Sequence, residues 1–110
     1  MITIAETGEF INKSKGLLKE YEREALVLYL AEHPDSGALV EATGGIRKLR
    51  WAREGGGKSG GVRVIYYFHS ARMPLYLLTI YGKGEKDNLS ASEKHGLRGL
   101  VDLLKSVNGL

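Results

Sequence analysis

Six cations stand between positions 47 and 63, and a single acid, Glu54, lies among them. They are Arg47, Lys48, Arg50, Arg53, Lys58 and Arg63, and a further one, Lys83, follows the run Leu77-Leu78-Thr79-Ile80-Tyr81-Gly82. Basic side chains at this density bind anions, and nucleic acid is the commonest polyanionic partner. A solvated basic face is the plainer account of the same charges. The asymmetry runs through the whole chain. Residues 1–45 hold four Lys/Arg and eight Asp/Glu, a balance of −4, whereas residues 46–110 hold twelve and five, a balance of +7.

Other chemistries fit these residues less well. Cysteine is absent, which removes disulfides, thiolate zinc sites and a cysteine nucleophile. No His/Asp/Glu cluster has metal-ligand spacing, so neither a metal nor a cofactor is expected. The glycine-rich stretch Gly55-Gly56-Gly57-Lys58-Ser59 is not a phosphate-binding P-loop. Ala52 stands where that pattern needs its first glycine, and a β-type run follows where a helix N-terminus should receive the phosphates. What remains is a loop that presents Lys58 between two strands. Of the three histidines, His33 falls at a helix end and His95 on the last helix; only His69, at the end of the central strand, is placed for a site.

The elements that must position these cations follow from periodicity. Ile2-Thr3-Ile4 alternates and reads as a short first strand. Phe10 to Gly16 gives one or two helical turns. From Leu17 to Glu32 the spacing is helical, with Leu18, Tyr21, Ala25, Leu28 and Tyr29 as the expected inner face, and His33-Pro34 stops it. Ala38 to Thr43 is an irregular or short extended link. Ile46 to Ala52 is a strand with Lys48 and Arg50 on one side and Arg47, Leu49 and Trp51 on the other. Val62-Arg63-Val64-Ile65-Tyr66-Tyr67-Phe68 is the central strand, and Leu75 to Tyr81 pairs with it as a hairpin. A helix capped by Ser90, or by Ser92 with Glu93 just after it, closes the chain, with His95, Leu97, Leu100, Val101 and Leu104 on its apolar face. The fold class is therefore α+β in one domain, residues 1–110. A small antiparallel sheet, the N-terminal strand plus a three-strand C-terminal run, carries helices on one face, together with a C-terminal helix. The other face is expected to be concave and basic.

Taken together, three motifs resemble the HigB branch of the RelE superfamily of bacterial toxins. They are Gly-Gly-Ile-Arg-Lys-Leu-Arg-Trp-Ala from Gly44, Gly-Lys-Ser-Gly-Gly-Val-Arg-Val-Ile-Tyr-Tyr-Phe from Gly57, and Leu-Thr-Ile-Tyr-Gly-Lys-Gly-Glu from Leu78. The resemblance covers the sheet from Gly44 to Lys86 and matches the element order from end to end. It implies the toxin of a type II toxin–antitoxin pair, an endoribonuclease that enters the ribosomal A site and cuts mRNA there. It also implies a small antitoxin partner, HigA-like with a helix-turn-helix domain, and operator DNA reached only through that antitoxin. By the same resemblance Arg63 is the strand arginine that contacts the scissile phosphate. Lys48 and Arg50 are basic residues of the preceding strand, and Lys83 is the basic residue after the last strand. Lys58 sits in the loop that this branch shares. The C-terminal tyrosine that some relatives use has no counterpart near Ser90.

Such an enzyme needs no metal. The ribose 2′-OH attacks the adjacent phosphorus in line and the 5′-oxygen leaves. Arg63 and Arg50 are the candidates for stabilising charge on the phosphorane, because a guanidinium matches phosphate and stays charged. Lys83 or Lys58 can act as acid or base if neighbouring cations depress its pKa, and Tyr81 is a further candidate. Lys48, Arg50, Arg47 and Arg53 are the expected RNA and phosphate contacts. Lys86 reads as an ordinary surface charge. Two alternatives stand beside this reading: a toxin of the same fold directed at a protein such as gyrase, and a non-catalytic RNA-binding module. The start of the chain lacks the basic and apolar regions of a signal peptide. No apolar run approaches the roughly 20 residues of a membrane helix. The expected location is cytoplasmic, without membrane contact.

Overall fold

A computed structural model describes residues 1–53, 61–86 and 88–110. The elements are β1 (Ile4–Glu6), α1 (Gly8–Ser14), α2 (Glu20–Glu32), β2 (Ala38–Leu39), β3 (Ile46–Trp51), β4 (Val62–Tyr67), β5 (Leu75–Gly82) and α3 (Ala91–Val107). They form an α+β fold around one five-stranded sheet in the order β1-β5-β4-β3-β2. The β2–β3–β4–β5 pairs are antiparallel, and β1 lies parallel to β5, with Ile4 opposite Leu75. The sheet is thus mixed rather than wholly antiparallel. Alternation marks a strand, but a strand far from its partner in sequence has no hairpin to dictate its direction. The link after residue 37 also contributes a short edge strand, β2, through Ala38 opposite Lys48.

The two faces of the sheet are covered by different helices. Val62, Val64 and Tyr66 of β4 pack with Leu75, Leu77 and Ile80 of β5 against Phe10 of α1 and Leu26 and Leu30 of α2. The alternate residues Ile65 and Tyr67 join Ile46, Leu78, Tyr81 and Val101 in a second core, with Leu97, Leu100 and Leu104 of α3 against it. So α3 roofs much of the face opposite α1 and α2. The open basic surface is confined to the end of the sheet that α3 does not reach.

A bulge in the β4–β5 pair changes which β5 residues face which core. Ile65 is opposite Thr79, but Tyr66 is opposite Leu77, so Leu78 is an extra residue. Leu75 and Leu77 therefore share a core with Ile80, and Tyr81 turns to the α3 side.

Helix α2 packs with a different stripe from the one its spacing suggests. Leu26, Leu30 and Ala31 are buried, while Tyr21, Leu28 and Tyr29 are exposed. The helix carries apolar residues on both sides, and periodicity then does not identify the inner one. Tertiary contacts do: Arg23 Nη1 donates to both carboxylate oxygens of Glu6 on β1, at 2.7 and 2.9 Å. The helix starts at Glu20, where the Lys19 backbone N–H donates to Glu22 Oε1 at 2.8 Å, and ends beside Pro34 as the sequence suggests. Gly44 and Gly45 have φ of 78° and 123° and turn the chain into β3.

Candidate functional site

The cations of the sheet gather where β3 ends and β4 begins. Arg50 is opposite Arg63 across β3–β4, and Arg63 is opposite Tyr81 across β4–β5. Directly opposed residues share a sheet face, so Arg50, Arg63 and Tyr81 form one transverse row on the α3 side. Lys48, two residues before Arg50, points to the same side. Close backbone approach builds this end. A Cβ on Gly61 would lie 2.8 Å from the Trp51 carbonyl oxygen, so only glycine lets β4 start against the end of β3. The Lys83 backbone N–H donates to the Gly61 oxygen at 3.3 Å, which places Lys83 beside the same corner, with its side chain exposed.

Arg63 is 4% exposed, yet no described residue offers its guanidinium an ion pair or a hydrogen bond. A buried guanidinium usually has a carboxylate beside it, because leaving the charge uncompensated is costly. Here it lines a pocket of about 290 Å³ with Arg50, Trp51, Ala52 and Gly61. Among the described residues the pocket wall has two arginines and no acid. Such a cavity is suited to an anion whose oxygens would complete the guanidinium's hydrogen bonds.

The other sequence candidates divide. Lys48 Nζ donates to Asn88 Oδ1 at 3.2 Å and stays at the rim of the same face. Arg47 lies on the opposite face, where its Nη1 donates to the carbonyls of Asp35 (3.0 Å) and Gly37 (2.7 Å); it braces the turn after α2. Arg53 leaves β3 toward the α1–α2 link and donates to the Leu17 carbonyl at 3.2 Å. Lys58 lies outside the described residues. His69 follows the far end of β4, with its ring 6.5 Å from that of Tyr67, and the strand's length separates it from Arg63. His33 packs on Tyr29, and His95 is exposed on α3. Among the described residues no group of three or more His, Asp or Glu is placed to hold a metal ion.

Two residues join the site that the sequence did not single out. Lys86 Nζ stands 4.9 Å from the centroid of the Tyr81 ring, and it is ion-paired with Glu93 at the start of α3. Ser90 caps α3 in a capping box with Glu93, whose side chain accepts the Ser90 backbone N–H. That its carboxylate also holds a lysine from the preceding link depends on where α3 docks.

A mixed α+β sheet with helices on both faces, and with cations concentrated at one open end, is the class this chain falls in. A family model described as the RelE toxin of the RelE/RelB toxin–antitoxin system matches residues 20–109, most of the chain. The chain belongs to the RelE toxin family, and its partner is an antitoxin. The matched span includes Lys48, Arg50, Arg63, Tyr81 and Lys83. No helix among the described residues is long and apolar enough to cross a membrane.

Proposed function

We propose that this toxin is a ribosome-dependent, metal-independent endoribonuclease of the HigB branch that cuts mRNA in the A site and so stops translation. The observation that carries the reading is Arg63: buried in the central strand, without an acceptor among the described residues, and open to a cavity beside Arg50. A scissile phosphate in that cavity would accept a bidentate pair of hydrogen bonds from Arg63. In the reaction the 2′-oxygen forms a bond to phosphorus, the bond to the 5′-oxygen breaks, and the products are a 2′,3′-cyclic phosphate and a 5′-hydroxyl. Arg63 and Arg50 hold the charge that grows on the non-bridging oxygens, an effect worth about 10²–10³-fold per donor.

Proton transfer falls to groups in or beside the row, Tyr81 and Lys83, with Lys58 from the glycine-rich loop as a third candidate. Lys48 at the rim contacts the RNA backbone. Arg53 and Arg47, turned toward the other face, are assigned to fold support before RNA contact. The whole chain, residues 1–110, acts as one domain in the cytoplasm. Its antitoxin is HigA-like, and operator DNA is met only through that protein.

The test is mapping of mRNA 5′ ends after brief induction in bacterial cells, wild type beside Arg63→Ala. In-frame cuts in translated messages that vanish in the variant are the expected result. Growth arrest without new cuts would instead favour a protein target, and the catalytic assignments would fall.

A further inference from the structure

The link between β5 and α3 is fastened to the site at several points. Leu89 is buried in the core under α3. Asn88 Oδ1 accepts from Lys48 Nζ. Lys86 is paired with Glu93 and stands over the Tyr81 ring. The Lys86 side chain is partly exposed, and its ammonium is held between a carboxylate and a ring face.

Glu93 is itself held on both oxygens. Its Oε1 accepts the Ser90 backbone N–H at 2.9 Å, and its own backbone N–H donates to Ser90 Oγ at 3.1 Å, closing the capping box. Its Oε2 is left for Lys86. The carboxylate is therefore an anchor whose place is set by the first turn of α3. The ammonium it holds faces the ring of the residue directly opposite Arg63. An ammonium against a ring face is attracted by the ring quadrupole.

We propose that Lys86 and Glu93 are positioning residues: Glu93 holds the Lys86 ammonium against Tyr81 and so fixes the Tyr81 ring beside Arg63. The proposal rests on the nuclease reading only for its catalytic consequence. Lys86 is neutralised by Glu93 and is not one of the phosphate-binding cations. This separates it from Arg50 and Lys83, neither of which is ion-paired among the described residues.

The experiment compares wild type, Lys86→Met, Lys86→Arg and Glu93→Gln in single-turnover cleavage of mRNA on programmed ribosomes. Misplacing a reacting group by about 1 Å costs on the order of 10²-fold. Lys86→Met and Glu93→Gln are expected to slow the step at saturating toxin by about 10–100-fold, with half-saturation unchanged. Lys86→Arg, which keeps both the pair and the ring contact, should recover most of the rate. A merely structural role would not be rescued in rate at saturation while leaving half-saturation fixed. Wild-type rates in Lys86→Met and Glu93→Gln would overturn the proposal. So would a weaker half-saturation with a shallower salt dependence in Lys86→Met, which would make Lys86 a phosphate ligand.

A second readout needs no cleavage. In the free toxin the Lys86 ε-methylene protons should be shifted upfield by the Tyr81 ring in NMR spectra, and the shift should vanish in Glu93→Gln. Its absence from the wild type would overturn the proposal. If the wild type failed to cut mRNA, the nuclease reading would fall by itself, and the NMR shift would still decide whether Glu93 holds Lys86 on Tyr81.

Discussion

Arg50 and Arg63 are paired directly across the β3–β4 ladder, two like charges on one face of the sheet. Opposed like charges destabilise a strand pair by roughly 0.2–1 kcal/mol. A fold that keeps both arginines in this register, with no acid between them among the described residues, holds a site that an anion would stabilise.

Arg63→Ala is expected to abolish toxicity while the protein still folds, since the substitution removes a buried charge that has no partner among the described residues. Arg63→Lys should retain a small part of the activity, because an ammonium offers a point charge in place of a planar fork. Growth of induced cells and circular dichroism of the purified variants check the two halves. A folded and fully toxic Arg63→Ala would sink the phosphate assignment.

Arg50→Ala should move stability and function in opposite directions. Relief of repulsion raises stability by up to about 1 kcal/mol, readable as a higher melting temperature. Binding to RNA weakens, and the slope of log affinity against log salt falls by about one unit. A variant that is both less stable and unchanged in salt dependence would contradict the shared anion site.

Residues of the opposite face should affect stability alone. Tyr66 OH accepts the Gly37 backbone N–H at 2.8 Å in a buried setting. Tyr66→Phe would leave that N–H without a partner, at a cost of about 1–3 kcal/mol. Arg47→Ala removes the donor to Asp35 and Gly37 and should likewise lower the denaturation midpoint. Neither should change the cleavage rate per folded molecule. An Arg47→Ala variant with normal stability and weak RNA binding would return Arg47 to the RNA contacts.

Acid should loosen the start of α3. The Lys86 pair and then the Ser90 backbone N–H lower the Glu93 carboxyl from 4.5 to about 2. A depressed carboxyl contributes stability that is present above its unfolded value and lost as pH falls toward the folded one. The Glu93 side chain is 39% exposed, so solvent screening keeps the gain to at most about 1 kcal/mol. Glu93→Gln should thus melt slightly below wild type at pH 7, and the difference should shrink between about pH 4.5 and pH 2. A gap that stays constant down to pH 2 would show that the charge of Glu93 contributes nothing.

Much of this protein was legible in its chain. β-prone runs between turn residues located β3, β4 and β5, Pro34 stopped α2, and Ser90 was one of two serines that could start α3, because these signals are local and backbone geometry acts on neighbours. The side of β3 that carries Lys48 and Arg50 followed from period-two counting, and Arg63 was singled out by the family motifs alone. Less was legible in α2, whose two apolar sides are equal in sequence until Glu6 and the sheet choose between them.

What the tertiary structure alone decided is which residues meet. The extra residue Leu78 turns Tyr81 onto the face of Arg63, although simple alternation would group Tyr81 with Leu75 and Leu77. The docking of α3 on that face narrowed a basic surface to one open corner and brought Glu93 to Lys86. Register and helix placement are set by packing between segments distant in the chain. A single residue's shift there reverses every side chain that follows, and no local pattern records it.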